Sequence, residues 1–126
     1  MTGVSVSANK KTVETYIDGF NKSDHQQILS CLTDDIEWTV FGWYHLTGKA
    51  AYDNEIENAA FTGSPVLTIV RMVEENDVVM AELTGEVRRA DGTPMRLAMG
   101  EVFVMRDAKI CERRAYVIEL KENEFK

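Results

Sequence analysis

The chain has 126 residues, 44% hydrophobic and 28% charged, with a formal net charge of −7. That length suits one compact domain with a real core, and the acidic balance argues against gripping a phosphate backbone, which rewards clustered Lys and Arg. No apolar run reaches the length of a membrane span, and Met1–Asn9 lacks a basic segment followed by an apolar stretch, so a cytoplasmic protein without a secretory leader is expected.

Met1–Ser7 reads as a loose arm. From Asn9 the pattern is helical: Val13, Tyr16, Ile17 and Phe20 share one face. Tyr16 is therefore inside, with a hydroxyl that needs a partner. Ser23 restarts a helix with Gln26 as its capping-box partner, and Ile28, Leu29 and Leu32 form its buried stripe. Thr33, Asp34 and Asp35 read as a solvated turn. Ile36–Val40 alternates as a strand with Ile36, Trp38 and Val40 on one face. The aromatic stretch Phe41–Tyr44, followed by His45 and Gly48, reads as a pocket rim or an interface. Lys49–Phe61 predicts a third helix, with Tyr52 and Ile56 inward and Gly63 past its end.

After Pro65 come four strands, Val66–Glu75, Val78–Ala90, Pro94–Arg106 and Lys109–Leu120. They are joined by turns at Asn76-Asp77, Asp91-Gly92 and Asp107-Ala108. Lys121–Lys126 reads as a polar tail. Three helices followed by a strand meander predict an α+β domain over residues 1–126, its helices packed on one face of an antiparallel sheet.

Met95–Arg106 is the strand around which the rest is organised. One face carries Met95, Leu97, Met99, Glu101, Phe103 and Met105; the other carries Ala98, Gly100, Val102 and Val104 between two arginines. A lone carboxylate in a buried row is costly unless paired or protonated, so Glu101 is either a structural ion pair or a ligand or catalytic group. If the turns centre their hairpins, Glu101 lies opposite Glu82 and Arg114, Met99 lies opposite Thr84 and Tyr116, and Arg71 faces Glu82. The expected result is a charged row, Arg71–Glu82–Glu101–Arg114, at the base of a cavity. Trp38, Trp43, Tyr44 and Phe41 gather at the same end. On the other face, Val79, Ala81, Leu83 and Gly85 meet Ala98, Gly100 and Val102 in a flat, small-residue surface expected to pair two copies. Cys31 and Cys111 are expected as separate thiols. His25 and His45 form no metal-ligand cluster with them, so neither metal nor cofactor is expected.

The segments Val13-Glu14-Thr15-Tyr16, Asn21-Lys22-Ser23-Asp24 and Leu32 through Trp38, Gly48 before the third helix, and Lys109 through Tyr116 together resemble the cone-shaped NTF2-like superfamily. Within it they resemble the SnoaL-like and ketosteroid-isomerase-like proteins. The resemblance runs from about Asn9 to Leu120. The isomerases use a tyrosine and a protonated aspartate as an oxyanion hole and a second aspartate as base. The resemblance places Tyr16 on the tyrosine, Glu101 on the protonated aspartate and Val40 at the base position, where a valine takes no proton.

Two functions follow. One is a cofactor-independent isomerase, cyclase, dehydratase or hydrolase: Tyr16, Glu101 and Glu82 supply acid–base groups, and Arg114 orients the ligand. Trp38, Val40, Trp43, His45, Thr84, Met99, Phe103 and Tyr116 would complete the pocket for a small molecule. The other is a non-catalytic ligand-binding or dimerisation module that has lost the base.

Overall fold

A computed structural model describes residues 7–121; the expected arm before Ser7 and the tail after Lys121 lie outside the described residues. Helix α1 (Ala8–Lys22) begins where the Ser7 hydroxyl accepts a hydrogen bond from the Lys10 amide at 3.0 Å, satisfying a donor that has no partner within the helix. Its buried stripe is Val13, Tyr16, Ile17 and Phe20, as the spacing requires. Ser23 closes α1 in a left-handed conformation, φ 52°, instead of opening the next helix. The cap of α2 (His25–Ser30) is Asp24, whose carboxylate accepts from the Gln27 amide at 3.0 Å. Gly19 lets the two helices touch, since a Cβ there would stand 2.9 Å from Ile28 Cγ1.

Strand β1 (Leu32–Val40) takes in the two aspartates expected in a turn. The aromatic stretch is a hairpin into β2 (Tyr44–Thr47), antiparallel to β1. Helix α3 (Lys49–Ile56) is shorter than expected and follows β2, so only two helices precede the first strand. Strands β3 (Phe61–Glu75), β4 (Val78–Arg89), β5 (Pro94–Arg106) and β6 (Lys109–Leu120) complete one sheet in the order β2-β1-β6-β5-β4-β3. Every neighbouring pair is antiparallel except β1 and β6, which run parallel. The result is an α+β fold with a curved six-stranded sheet and the helices on its inner side. Asn21 ties α1 to β3: its side-chain amide donates to the Leu67 carbonyl at 3.0 Å and accepts from the Leu67 N–H at 2.7 Å.

Two local features overturn the expected register. The β4–β5 hairpin has a three-residue loop, with Gly92 at φ +88°, the Gly92 amide donating to the Arg89 carbonyl and the Arg89 amide donating to the Thr93 carbonyl. Glu82 therefore faces Gly100, and Ala81 faces Glu101. At the β5–β6 turn, Asp107 and Ala108 form the expected two-residue loop, with φ 53° and 59°. Two pairs further on, Cys111 is bulged: Val104 pairs with Glu112 and Met105 with Ile110. One extra residue reverses every later side chain on that strand, so Arg113 faces inward in place of Arg114.

Only Arg71–Glu82 survives from the expected charged row. It is an exposed ion pair, Nε to Oε1 at 2.9 Å, on the outer face of the sheet. The expected small-residue surface is likewise divided. Val79, Ala81 and Leu83 are buried in the core, whereas Ala98 and Gly100 lie on the outer face beside Met80, Tyr116 and Ile118. Cys31 and Cys111 are free thiols.

Candidate functional site

Between the inner face of the sheet and the helices lies a cavity of about 520 Å³, within the range of small-molecule sites. Its floor is made by buried Trp38, Val40, Leu97, Met99, Arg113 and Ala115. Exposed Trp43, Glu57, Thr62, Gly63 and Ser64 mark its mouth. Tyr44, Glu55, Ile56 and Asn58 form the wall between them, so β2 and the end of α3 close one side, while β3, held by Asn21, closes the other.

Behind the floor is a buried polar cluster. Arg113 donates from Nε and Nη2 to the two oxygens of Glu101, each at 2.7 Å. This is the parallel two-bond geometry of a guanidinium and a carboxylate. The two residues are diagonal neighbours on β6 and β5, brought to one face by the Cys111 bulge. Nη1 donates to Tyr16 Oη at 2.5 Å and to Tyr52 Oη at 3.3 Å, and the two phenols share a hydrogen bond. The guanidinium also lies over the Trp38 ring, 4.6 Å from its centroid. Trp38 in turn stacks on Tyr52 at 4.4 Å.

Burial holds both phenols above the ordinary tyrosine range, Arg113 pulling the other way. Burial is the largest influence on Arg113 and opposes its charge, but Glu101, Tyr16 and Tyr52 together outweigh it and hold the guanidinium well above its usual value. The phenols thus keep their protons and the arginine its charge. Arg113 reaches the cavity; Tyr16, Tyr52 and Glu101 lie behind it and do not line it. A guanidinium has five N–H donors, and four are engaged here, leaving one on Nη2 with no partner among the described residues. The Trp38 indole N–H, on the same floor, is buried and has no acceptor among the described residues.

Of the residues expected at the site, Trp38, Val40, Trp43 and Met99 line the cavity. Phe103 sits beneath it, edge-on to Tyr16 at 5.7 Å. Tyr16 and Glu101 belong to the buried cluster. Glu82, Thr84 and Tyr116 lie around a shallow groove on the outer face, because the β4 loop and the β6 bulge each shift the register by one. Arg114, turned outward by the same bulge, pairs with Glu112 at 3.2 Å and lies over Phe41. His45 is exposed on β2 and bonds Thr39 at 2.8 Å. Sequence reasoning missed Arg113, Glu55, Asn58 and the β3 wall. Tyr52 is buried, as its helical spacing predicts, and that spacing is the signal in the sequence for it. Among the described residues no group of three or more His, Cys, Asp or Glu could hold a metal ion, and no helix is long and apolar enough to cross a membrane.

The family model of the SnoaL-like domain matches residues 13–113. The chain belongs to this family. No curated protein matches it. Among solved structures, this SnoaL-like chain is similar to an LEH-like epoxide hydrolase of M. tuberculosis (TM-score 0.79, 17% identity, 88% of this chain and 83% of that one). It is also similar to TerC co-crystallised with polyporic acid (TM-score 0.79, 24% identity, 89% and 92%). A third similar structure is an NTF2-like protein of unknown function from Burkholderia pseudomallei (TM-score 0.80, 16% identity, 90% and 92%). At these identities the likeness shows the NTF2-like fold alone. In the SnoaL-like chain, Val40 lines the cavity floor where the resemblance expects a base.

Proposed function

We propose that this SnoaL-like protein binds a small, largely apolar molecule through an oxygen acceptor seated on Arg113. The observation that carries the reading is a guanidinium already matched by a buried carboxylate, facing a cavity with aromatic and aliphatic walls. An unpaired arginine there would favour full anions. Paired with Glu101, Arg113 acts as an oriented N–H donor with little net charge, which suits a carbonyl, enol or phenol oxygen. Acid–base catalysis by Tyr16 and Glu101 is less well supported, since neither lines the cavity and both Glu101 oxygens are engaged. Glu82 is on the other side of the sheet.

Calorimetric titration with 2-acetylnaphthalene and with 2-isopropenylnaphthalene, its hydrocarbon isostere, tests the proposal. A hydrogen bond to a charged donor is worth enough to make the ketone bind about tenfold tighter or more. Val117→Trp, which fills the cavity, removes binding of both. Equal affinities, or binding that survives Val117→Trp, overturn the reading.

We also infer that two copies pair across the outer sheet face. Support comes from Val73, Met80 and Ile118, exposed to 60%, 53% and 61% beside the small residues Ala98 and Gly100. Sedimentation velocity is expected to give a two-chain mass that Ile118→Asp converts to one chain. A wild-type monomer at high protein concentration refutes it.

A further inference from the structure

The charged groups that line the cavity differ from floor to mouth. At the floor the charged group is the guanidinium of Arg113, which has one N–H without a partner among the described residues. Toward the mouth, among neutral side chains such as Thr62 and Ser64, the charged groups are the carboxylates Glu55 and Glu57 from the end of α3. The two are not equivalent. Glu57 is exposed, and its Oε1 is engaged by His25 Nε2 at 2.7 Å. Glu55 is half-buried on the cavity wall, and the Asn58 side-chain amide donates to its Oε2. Asn58 is itself held, its carbonyl oxygen accepting from the Ala60 amide at 2.8 Å. The other Glu55 oxygen has no hydrogen-bond partner, and no cation pairs with this carboxylate, among the described residues.

The Glu55 carboxylate is held in place by Asn58 and keeps an open acceptor oxygen on the cavity wall. A ligand that carries a donor or a cation at that height can meet it. Tyr44 lies on the same wall, and its hydroxyl is held above the ordinary range chiefly by burial, with Arg113 and Glu55 both acting on it. The donor end and the acceptor end of the cavity are therefore within electrostatic reach of one group.

We propose that Glu55 is a specificity-determining residue that selects ligands carrying a cation or hydrogen-bond donor at the end remote from the oxygen bound by Arg113. The ligand is then bipolar: an acceptor head at the floor, an apolar ring across Trp38 and Met99, and a donor tail at Glu55. A carboxylate in the tail is rejected by like-charge repulsion across a poorly screened wall. The inference rests on the reading that the cavity takes a carbonyl-like oxygen.

The test uses three acetophenones that differ only at the 4-position: aminomethyl (protonated), hydroxymethyl and carboxylate. Their dissociation constants are measured by calorimetry at low ionic strength and neutral pH. Wild-type protein is expected to bind them in that order, with the cation at least about tenfold tighter than the carboxylate. Glu55→Gln keeps the shape and the Asn58 contact, and is expected to bring the three constants within about threefold of one another. Glu82→Gln, which removes one carboxylate from the outer face of the sheet, is expected to preserve the order. Binding of the hydroxymethyl probe with no preference between the charged ones overturns the role of Glu55 and leaves the cavity reading standing. A preference that persists unchanged in Glu55→Gln also overturns it. Failure of all three to bind overturns both.

Discussion

Glu101→Gln is the substitution that probes the site's foundation. It keeps the shape of the side chain and removes its charge, leaving Arg113 with a side chain 7% exposed and no counter-ion. Removing one partner of a buried ion pair typically costs about 3–5 kcal/mol, because the remaining charge is left uncompensated. Gln still offers one acceptor oxygen, which places the expected loss near the lower end, about 3 kcal/mol. Against the roughly 5–15 kcal/mol that holds a domain folded, this is a large fraction. With a urea slope of about 1–3 kcal/mol/M, the unfolding midpoint falls by roughly 1–3 M. Equilibrium urea denaturation followed by tryptophan fluorescence measures it. The companion variant Glu101→Met with Arg113→Met removes both charges together, and is expected to recover much of the loss. A Glu101→Gln protein within about 1 kcal/mol of wild type would refute the view that the pair is desolvated and mutually dependent.

Three further outcomes are expected. His25 sits between Asp53, 2.5 Å from Nδ1, and Glu57, 2.7 Å from Nε2, and these hydrogen bonds raise its pKa, Asp53 contributing most. Because the folded value lies above the unfolded one, its stabilisation is full below about pH 6.5 and fades as pH rises through the folded value; melting temperatures from pH 5 to 9 and an NMR titration of the ring should show this, and His25→Gln should flatten the profile. Gly19→Ala puts a Cβ 2.9 Å from Ile28 Cγ1, and overpacking at a buried helix contact should cost about 1–3 kcal/mol despite the gain in helix propensity; an unchanged denaturation midpoint would contradict it. Tyr16→Phe should cost more than Tyr52→Phe, about 1–3 kcal/mol against about 1 or less, because Arg113 donates to Tyr16 at 2.5 Å and to Tyr52 at only 3.3 Å; equal losses in urea unfolding would show that the two phenols share the arginine evenly.

Much of the fold was legible because periodicity reports burial directly. The stripe Val13, Tyr16, Ile17 and Phe20 is buried as read, and β5 buries the odd-numbered face that carries Glu101. The alternation also marks Glu101 as a buried carboxylate, but its partner is Arg113, one residue from the Arg114 that a regular hairpin predicts. Which of two adjacent arginines faces inward depends on strand parity, and the bulge at Cys111 reverses that parity without a glycine or proline to mark it. Asp91-Gly92 looked like a two-residue turn, yet it is the end of a three-residue loop, since Gly92 supplies the left-handed position in either arrangement. That single residue moved Glu82 and Thr84 to the outer face. The cavity walls from α3 and β3 were out of reach for a different reason. They are assembled by contacts distant in sequence, such as Asn21 to Leu67, and no local pattern encodes them.

The central claim, that an oxygen-bearing apolar molecule sits on Arg113 inside the inner cavity, is tested most directly by isotope-filtered NOE spectroscopy of the protein with bound 2-acetylnaphthalene. The account predicts contacts from the probe's methyl ketone protons to the Ala115 and Met99 methyl groups and from its far ring to Ile56 and Leu67, together with a shift of the Arg113 side-chain N–H resonances. Contacts confined to Ile118 and Tyr116 on the outer face, with the Arg113 resonances unmoved, would contradict it.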